Sequence, residues 1–308
     1  MSEESLRYDP RHWHNIQPPE FMDISRRFEY DEDHLQMLSK WLRLDDGIGT
    51  IVEVGCGSGY FTEKLHSMAP SSKIICVEPD DVLRHHAEEK LGSRAEFLKG
   101  TTEEIPLPSD SSDLTLCHIV LNNLPDVPRA VGEMTRITKP GGMVASIEPF
   151  SRGVSYTPDP VLQEINEKTG RAFGMGVWGL RSELMDYPEA PKHRQVRYPE
   201  VFHSCGLRDI EAHGLLSVFL LSDARRDLGE VKRWLEDRLK FYVGDRERSQ
   251  VIMARGGLDE GTIAEAQELN ERHLRRLVEN PDIIPETDEL ESVGRIVTIG
   301  FKPDLRSA

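Results

Sequence analysis

Cysteine is scarce in this sequence, and no two cysteines stand in a paired motif. The four residues, Cys56, Cys76, Cys117 and Cys205, are spread over the chain without C-x-x-C spacing. That spacing is typical of zinc sites, and a high density of cysteines is typical of small disulfide-bonded domains. We therefore expect free thiols, no disulfide framework and no bound metal.

The sequence also lacks a long apolar run. The longest one, from Leu215 to Leu221, is interrupted by Ser217 and is far shorter than the roughly 20 residues that a membrane-spanning helix needs. The N-terminus reads MSEESLRYDP and has neither the basic start nor the apolar stretch of a secretory signal. These absences predict no membrane contact and a cytoplasmic location.

Positive charge is in deficit as well. Lysine and arginine together number 38 against 54 aspartates and glutamates, which gives a formal net charge of −16 at pH 7. Such a charge repels the phosphate backbone of DNA and RNA. Nucleic acid is therefore not an expected partner of this chain.

Residues 50–150 alternate short β-branched runs with amphipathic helical stretches. This order is typical of a parallel sheet with helices on both faces. A continuous apolar run such as Ile74 to Val77 suits a strand that is covered on both sides. The predicted strands are Thr50 to Val54, Lys73 to Val77, Ala95 to Leu98, Asp113 to His118 and Met143 to Glu148. The sequence thus indicates a doubly wound α/β core at residues 46–150.

The regions on either side of this core are less regular. Residues 1–45 contain several large aromatic side chains and are interpreted as an N-terminal helical cap. Residues 151–197 show no clean period and are interpreted as a lid insertion. Residues 222–290 have apolar residues at helical spacing and are interpreted as a helical insertion, through which the chain could form a homodimer. Further strands are predicted at Leu207 to His213 and at Gly294 to Phe301.

A glycine-rich turn follows the first predicted strand. The strand ends at Val54, residues 55–59 read GCGSG, and an amphipathic helix with Phe61 and Leu65 comes next. Glycines allow a tight turn and a close approach of the backbone to a ligand, while a helix N-terminus offers free N–H donors. This arrangement predicts a nucleotide-like ligand.

The spacing of the glycines separates two classes of ligand. The dinucleotide fingerprint G-x-G-x-x-G would need glycine at position 60, where this chain has Tyr60. With Glu53 two positions before Gly55, the pattern E-x-G-x-G-x-G resembles motif I of the class I S-adenosylmethionine (SAM) dependent methyltransferases. In that family the loop wraps around the methionine part of SAM.

Segments further along the chain strengthen the resemblance because they occur in the order of the family. Glu78 ends the second strand 19 residues after Gly59, where the family places the carboxylate that binds both ribose hydroxyls. Residues 100–106 (GTTEEIP) resemble the segment beside the adenine, residues 112–117 the fourth strand, and residues 139–142 (KPGG) the turn before the fifth strand. The chain is most similar to the ubiquinone-biosynthesis-like group, also called methyltransferase type 11.

The resemblance implies a set of cofactor-binding residues, with one departure from the family pattern. Thr101 stands where the family usually has an aspartate that binds the adenine amino group. A hydroxyl can accept a hydrogen bond but carries no charge, so the affinity for SAM is expected to be modest, or Glu103 takes part of the role. The implied residues are Glu53, Gly55, Cys56, Gly57, Gly59, Glu78, Pro79, Thr101, Thr102, Glu103 and Cys117.

Two residues at the carboxyl edge of the predicted sheet are candidates for a catalytic base. Methyl transfer needs alignment and, when the acceptor is protonated, a base. His118 follows the fourth strand at the edge where ligands bind in such folds, and it is the first candidate. Glu148 ends the fifth strand and is the second. A purely structural role for His118 stays open, and Tyr156 and His14 are further residues that could cover the substrate.

The resemblance implies a seven-stranded sheet in the order 3-2-1-4-5-7-6 with an antiparallel last strand. It also implies that the chain moves the methyl group of SAM to oxygen, nitrogen or carbon of a small organic acceptor and releases S-adenosylhomocysteine (SAH). Two other functions stay open. One is a SAM-binding protein that does not methylate, and the other is a nicotinamide dehydrogenase, against which Tyr60 argues.

Overall fold

The computed structural model describes residues 10–44, 47–151, 154–182 and 197–304. Within these ranges the chain divides into two compact units. The first, called the sheet unit, comprises residues 10–151, 197–217 and 293–304, and the second, called the helical unit, comprises residues 154–182 and 218–292. The boundaries of the cap, the lid and the helical insertion stay predictions.

The elements of the described residues follow one another along the chain. The strands are β1 (Thr50–Val54), β2 (Lys73–Val77), β3 (Glu96–Leu98), β4 (Ser112–His118), β5 (Thr138–Ser151), β6 (Ser155–Tyr156), β7 (Arg208–Leu220) and β8 (Leu290–Phe301). The helices are α1 (Pro19–Arg26), α2 (Glu32–Trp41), α3 (Tyr60–Met68), α4 (Asp81–Leu91), α5 (Val127–Ile137), α6 (Pro160–Ser182), α7 (Tyr198–Ser204), α8 (Leu228–Gly244), α9 (Arg246–Arg255) and α10 (Glu260–Glu279). Short segments of 3-10 helix, such as Pro10–Asn15 before α1 and Leu121–Asn123 after β4, complete the described residues.

The sheet has the predicted order. Its strands run β3-β2-β1-β4-β5-β8, and both β7 and the two-residue β6 pair with β8. The first five strands are parallel, and β8 is antiparallel to β5. When β6 is left out, this is the order 3-2-1-4-5-7-6 with an antiparallel last strand. The predicted fold class is therefore confirmed.

The core of the sheet unit lies on both faces of the sheet. Ile51 and Ile74 belong to one buried cluster, whereas their chain neighbours Val52 and Ile75 belong to another. Successive side chains of a strand point to opposite faces, so this alternation places one cluster on each side of the sheet. Strands covered on both faces explain the continuous apolar runs in the sequence.

Three strands are longer than predicted because pairing extends them beyond the apolar runs. β5 begins at Thr138, which pairs with Ser112, and the register then shifts before Met143. β8 begins at Leu290, where it pairs with β6, and β7 continues to Leu220. The turn at residues 139–142 is thus a bulge within β5 rather than the segment before it.

The helical unit contains a long helix that the sequence did not predict. α6 occupies residues 160–182 of the predicted lid, whose residues 183–196 lie outside the described ranges. α6 crosses α9 closely: a Cβ added at Gly176 would lie 1.8 Å from the carbonyl oxygen of Ile252. Close packing between helices therefore supports a segment whose glycines weaken helix propensity. Of the helices in the described ranges, none is long and apolar enough to cross a membrane.

Candidate functional site

The glycine-rich turn lies between the carboxyl end of β1 and the start of α3. Gly55, Gly57 and Gly59 have φ angles of 74°, 56° and 74°, in the left-handed region that favours glycine. The N–H of Gly55 donates to the carbonyl of Val77 at 2.7 Å. A Cβ added at Gly59 would lie 2.8 Å from Leu91 Cδ1 on α4. The three glycines therefore fix the shape of the turn and its close packing.

The carboxylate of Glu78 closes this turn from the end of β2. Its Oε2 accepts the N–H of Gly57 at 2.8 Å, and its Oε1 accepts the N–H of Asp80 at 3.1 Å. Burial raises the pKa of Glu78 to about 7. Each carboxylate oxygen has a second lone pair, so Glu78 can also accept hydrogen bonds from a ligand such as a ribose.

A second buried carboxyl group lies under the turn. Oε2 of Glu53 accepts the hydroxyl of Thr62 at 2.6 Å. Burial raises the pKa of Glu53 to about 8, although the hydrogen bond from Thr62 opposes the shift. A cationic ligand group beside Glu53 would favour its ionised form, because an opposite charge stabilises a carboxylate.

The predicted adenine segment follows β3. Thr101 is partly buried and is bridged to Glu104, and Glu103 is partly buried as well. Thr102 is buried, and among the described residues its hydroxyl has no hydrogen-bond partner. Buried polar groups are nearly always hydrogen-bonded, so this hydroxyl is suited to a ligand or an ordered water. Pro79, next to Glu78, is also partly buried.

The two cysteines of the predicted site are buried and protonated. A hydrogen bond with Cys76, together with burial, holds the pKa of Cys56 well above its usual value. Burial does the same for the pKa of Cys117. A thiol that stays protonated is a poor nucleophile. Neither thiol is therefore suited to act as a nucleophile.

His118 lies in a buried aromatic and ionic cluster at the carboxyl edge of the sheet. Its Nε2 is 2.9 Å from the hydroxyl of Tyr30 and 3.8 Å from Oε1 of Glu29, and its ring stacks on Phe61 with 4.6 Å between centroids. Burial lowers the pKa of His118 to about 4. The imidazole is therefore neutral near pH 7, and one ring nitrogen can accept a proton.

Glu29 also binds Arg295 on β8. Nε of Arg295 and Oε1 of Glu29 are 2.6 Å apart, and both side chains are buried. Burial raises the pKa of Glu29, but His118 and Arg295 outweigh it and lower that pKa to about 2. The carboxylate is therefore ionised at every physiological pH. The sequence did not indicate Glu29, Tyr30 or Arg295, because no local pattern links positions so far apart.

Glu148 lies at the same edge but is engaged by backbone groups. Its carboxylate accepts the N–H groups of Val120 at 3.1 Å, Leu121 at 2.8 Å and Asn122 at 3.2 Å. Burial raises the pKa of Glu148 to about 7. These contacts hold the loop after β4, while a role as base stays a prediction. Tyr156 lies on β6 in the helical unit and is exposed.

The N-terminal segment covers the glycine-rich turn. His14 donates its backbone N–H to Asp80 at 2.8 Å, and its Nδ1 is also 2.8 Å from that carboxylate. Asp23 on α1 accepts the hydroxyl of Ser58 at 2.8 Å. Asp80 also caps α4, and an aspartate directly before a helical run is the signal that could have drawn attention to it.

Comparison with known proteins gives a consistent result. The family described as "Methyltransferase domain" matches residues 52–146. The demethylmenaquinone methyltransferase of Lactococcus lactis is 34% identical over 187 residues, which cover 55% of this chain and 70% of that protein. An uncharacterised methyltransferase of Schizosaccharomyces pombe is 34% identical over 108 residues, which cover 32% of this chain and 39% of that protein. The chain thus aligns with only part of each relative, from 39% to 70% of its length.

A solved structure shows the same fold. The phosphoethanolamine N-methyltransferase 2 of Haemonchus contortus, in complex with phosphomonomethylethanolamine and SAH, superposes with a TM-score of 0.52. The superposition covers 96% of this chain and 60% of that chain at 12% sequence identity. At this identity the likeness concerns the fold alone.

Proposed function

Because the chain belongs to the class I SAM-dependent methyltransferase family, we propose that it transfers the methyl group of SAM to oxygen, nitrogen or carbon of a small organic acceptor. The observation that carries the proposal is the pairing of the turn at residues 55–59 with Glu78. Gly55, Gly57 and Gly59 have positive φ angles and no side chain, so a ligand can approach the backbone of the turn closely. The carboxylate of Glu78 lies at this backbone and accepts the N–H of Gly57.

The buried polar groups of the site fit the parts of SAM. We assign Glu78 to the ribose hydroxyls, Glu53 to the methionine amino group, and the segment of Thr101, Thr102 and Glu103 to the adenine. Gly55, Gly57 and Gly59 carry the backbone that meets the methionine part, while Pro79, Cys56 and Cys117 line the site. When bound, SAM would supply a methyl group carried on a sulfonium; as the methyl group passes to the acceptor, the electron pair of the broken bond to sulfur would stay on sulfur and give the neutral thioether of SAH.

His118 is the base that we propose for acceptors that must lose a proton. Its neutral imidazole can take the proton, directly or through the hydroxyl of Tyr30 at 2.9 Å. The ionised Glu29, 3.8 Å away, stabilises the imidazolium that results. We assign Glu148 to holding the loop after β4, since its carboxylate already accepts three backbone N–H groups.

A hydroxylated aromatic ring is the first acceptor class to test. By its name, the relative from Lactococcus lactis methylates demethylmenaquinone. The aromatic rings of Tyr30, Tyr60 and Phe61 around His118 would suit the face of such an acceptor. A cytoplasmic location, the exclusion of nucleic acid and a homodimer through residues 222–290 stay predictions.

Turnover tests the proposed function. The purified protein is incubated with SAM labelled on its methyl group and with a panel of hydroxylated aromatics, carboxylic acids and amines. We expect SAH and a labelled product to form in equal amounts with at least one class. Tight binding of SAH without turnover of any acceptor would instead identify a SAM-binding protein that does not methylate.

A pair of variants separates the two candidate bases. For an acceptor that loses a proton, we expect His118→Gln to lower kcat by about 10²- to 10⁴-fold, the usual contribution of a general base. Its affinity for SAH should stay within about twofold. Glu148→Gln should lower the melting temperature but keep most of kcat. The reverse pattern would make Glu148 the base and leave His118 a structural role.

A further inference from the structure

Two strands at the end of the sheet hold the loop between α1 and α2. Ser217 on β7 donates its hydroxyl to the backbone carbonyl of Glu29. Nε of Arg295 on β8 is 2.6 Å from Oε1 of the Glu29 carboxylate, and both of these side chains are buried. The backbone and the side chain of Glu29 are therefore held by separate contacts, and the loss of one leaves the other in place.

This arrangement keeps the carboxylate of Glu29 close to His118 but outside hydrogen-bond range. Oε1 of Glu29 is 3.8 Å from Nε2 of His118, whereas hydrogen bonds between nitrogen and oxygen are about 2.7–3.2 Å long. The hydroxyl of Tyr30 makes the short contact with Nε2, at 2.9 Å. The same Oε1 atom is bound to Arg295. The carboxylate thus acts on the imidazole through its charge, while its short contact is with the guanidinium.

The surroundings of His118 favour the neutral imidazole. The charged and titratable groups around the ring are Arg26, Glu29, Tyr30, Tyr60 and Arg295. Burial lowers the pKa of His118 to about 4, against the ionised Glu29 and with the help of the two arginines. Burial raises the pKa of both tyrosines, so their hydroxyls stay protonated. Arg26 also interacts with Glu29, so the carboxylate keeps a positive neighbour when Arg295 is removed.

We propose that Arg295 is a positioning residue for proton removal by His118. It holds the carboxylate of Glu29 back from the ring, so that the imidazole is free to take a proton, and keeps it near enough to stabilise the imidazolium that forms. The inference rests on the proposed function, because it takes His118 as the base from there. Without Arg295, the carboxylate would approach Nε2 and favour a proton on the ring before the acceptor delivers one.

An NMR titration of His118 tests this inference without any acceptor. The histidine rings are labelled with ¹⁵N in the wild type and in Arg295→Gln, and the spectrum of His118→Gln identifies the signal of His118. We expect the wild-type ring to titrate with a pKa of about 4. In Arg295→Gln its proton affinity should rise at least about tenfold, as for an imidazole that gains a direct contact with a carboxylate.

Three further variants separate positioning from a loss of stability. The double variant Arg295→Gln with Glu29→Gln should return the proton affinity of His118 to the wild-type value or below, since the rise requires the carboxylate. Arg295→Lys keeps the charge without the fork and should lie between the wild type and Arg295→Gln. Arg248→Gln removes a buried arginine of the helical unit that pairs with Asp245. It should lower the melting temperature without moving the titration of His118.

The pH profile of turnover applies the same test to catalysis. For an acceptor that loses a proton, the acid limb of kcat should move to higher pH in Arg295→Gln by the factor that the NMR titration gives. The KM for SAM should stay within about twofold of the wild-type value, because Arg295 acts on the base. Melting curves show which variants are folded, and if Arg295→Gln is not, Arg295→Lys carries the test with a smaller rise.

The contradicting results are distinct from one another. An unchanged titration of His118 in folded Arg295→Gln would overturn the inference and leave the proposed function standing. A rise that persists in the double variant would overturn it as well, because the ring would then respond to the charge of Arg295 and not to the position of Glu29. A wild-type chain that turns over no acceptor would overturn the proposed function and, with it, the role of Arg295 in catalysis.

Discussion

The sheet unit and the helical unit use glycine for different physical purposes. In the sheet unit, Gly55, Gly57 and Gly59 have positive φ angles and shape a turn whose backbone can meet a ligand. In the helical unit, Gly176 lies in a regular helix, and its missing Cβ lets the carbonyl of Ile252 come close. The role of a glycine therefore follows from its backbone conformation and from the atoms that a Cβ would meet.

The two units also differ in how they place charge. The sheet unit buries the carboxyl groups of Glu53, Glu78 and Glu148, and burial raises the pKa of each. In the helical unit, the ion pair of Lys168 with Glu164 is exposed, and such pairs contribute little to stability, whereas Arg248 pairs with Asp245 at a largely buried position. Buried groups with shifted pKa values mark functional sites more often than exposed pairs do, so the chemistry is expected in the sheet unit.

The largest effect is expected at Gly57. Gly57→Asp places a side chain and a charge where the backbone meets the ligand, at a φ of 56°. We expect the affinity for SAH to fall at least about a hundredfold, since both the strain and the charge act at the ligand. Calorimetry measures the loss, and a melting curve shows that the variant is folded.

Gly47 supplies the control for that variant. It has a φ of 76°, and a Cβ added there would meet no atom within 4 Å. Gly47→Asp should therefore carry a similar backbone strain of about 1 kcal/mol without touching the ligand. If Gly57→Asp binds SAH as the wild type does, or if Gly47→Asp loses binding equally, the turn is not the cofactor site.

A smaller effect, on stability rather than binding, is expected at Gly176. A Cβ there would lie 1.8 Å from the carbonyl oxygen of Ile252, so Gly176→Ala must push α6 away from α9. We expect the free energy of unfolding, measured with denaturant, to fall by about 1–3 kcal/mol, as for an overpacked core.

Gly170 in the same helix is the matched control for Gly176. A Cβ added at Gly170 meets nothing within 4 Å. Gly170→Ala should leave stability unchanged or raise it by up to about 1 kcal/mol, because alanine favours helix. Equal effects of the two alanine variants would contradict the tight crossing of α6 and α9 and remove the contrast between the units.

The smallest effect concerns the pH dependence of binding. Burial raises the pKa of Glu78 to about 7 from the 4.5 of a free glutamate, so in the ligand-free protein its contribution to stability is full below pH 4.5 and is lost as the pH rises through 7. The affinity for SAH should instead rise with pH, since ribose hydroxyls donate more strongly to an ionised carboxylate than to a protonated one. We expect the affinity for SAH to fall about tenfold from pH 8 to pH 6.

Glu78→Gln separates Glu78 from other groups that titrate in this range. The variant should bind SAH more weakly at pH 8, and the tenfold slope should disappear. A slope that persists in Glu78→Gln would assign the titration to another group, such as one of the histidines, and would weaken the assignment of Glu78 to the ribose.

The sequence predicted the sheet better than the helical unit. β1 and β2 have the predicted limits because strands buried on both faces leave continuous apolar runs with turn residues at their ends. α6 was missed because several glycines break its pattern, and the crossing with α9 that compensates for them involves residues far along the chain. Local patterns report local preferences, and this helix depends on a distant contact.

The same limit applies to the site. The turn at residues 55–59 and Glu78 could be identified because they form one local βαβ pattern. Tyr30, Glu29 and Arg295 could not, because only the folded chain brings the loop after α1 and strand β8 to His118. The charged groups around His118 thus depend on contacts between distant parts of the chain, whereas the glycine-rich turn follows from a local sequence pattern.

The most direct test of the central claim is a calorimetric titration of the wild-type chain with SAH and, separately, with NADH. We expect saturable binding of one SAH per chain, no binding of NADH, and loss of the SAH signal in Gly57→Asp. Binding of NADH without binding of SAH would contradict it, because the glycine-rich turn would then belong to a dinucleotide site.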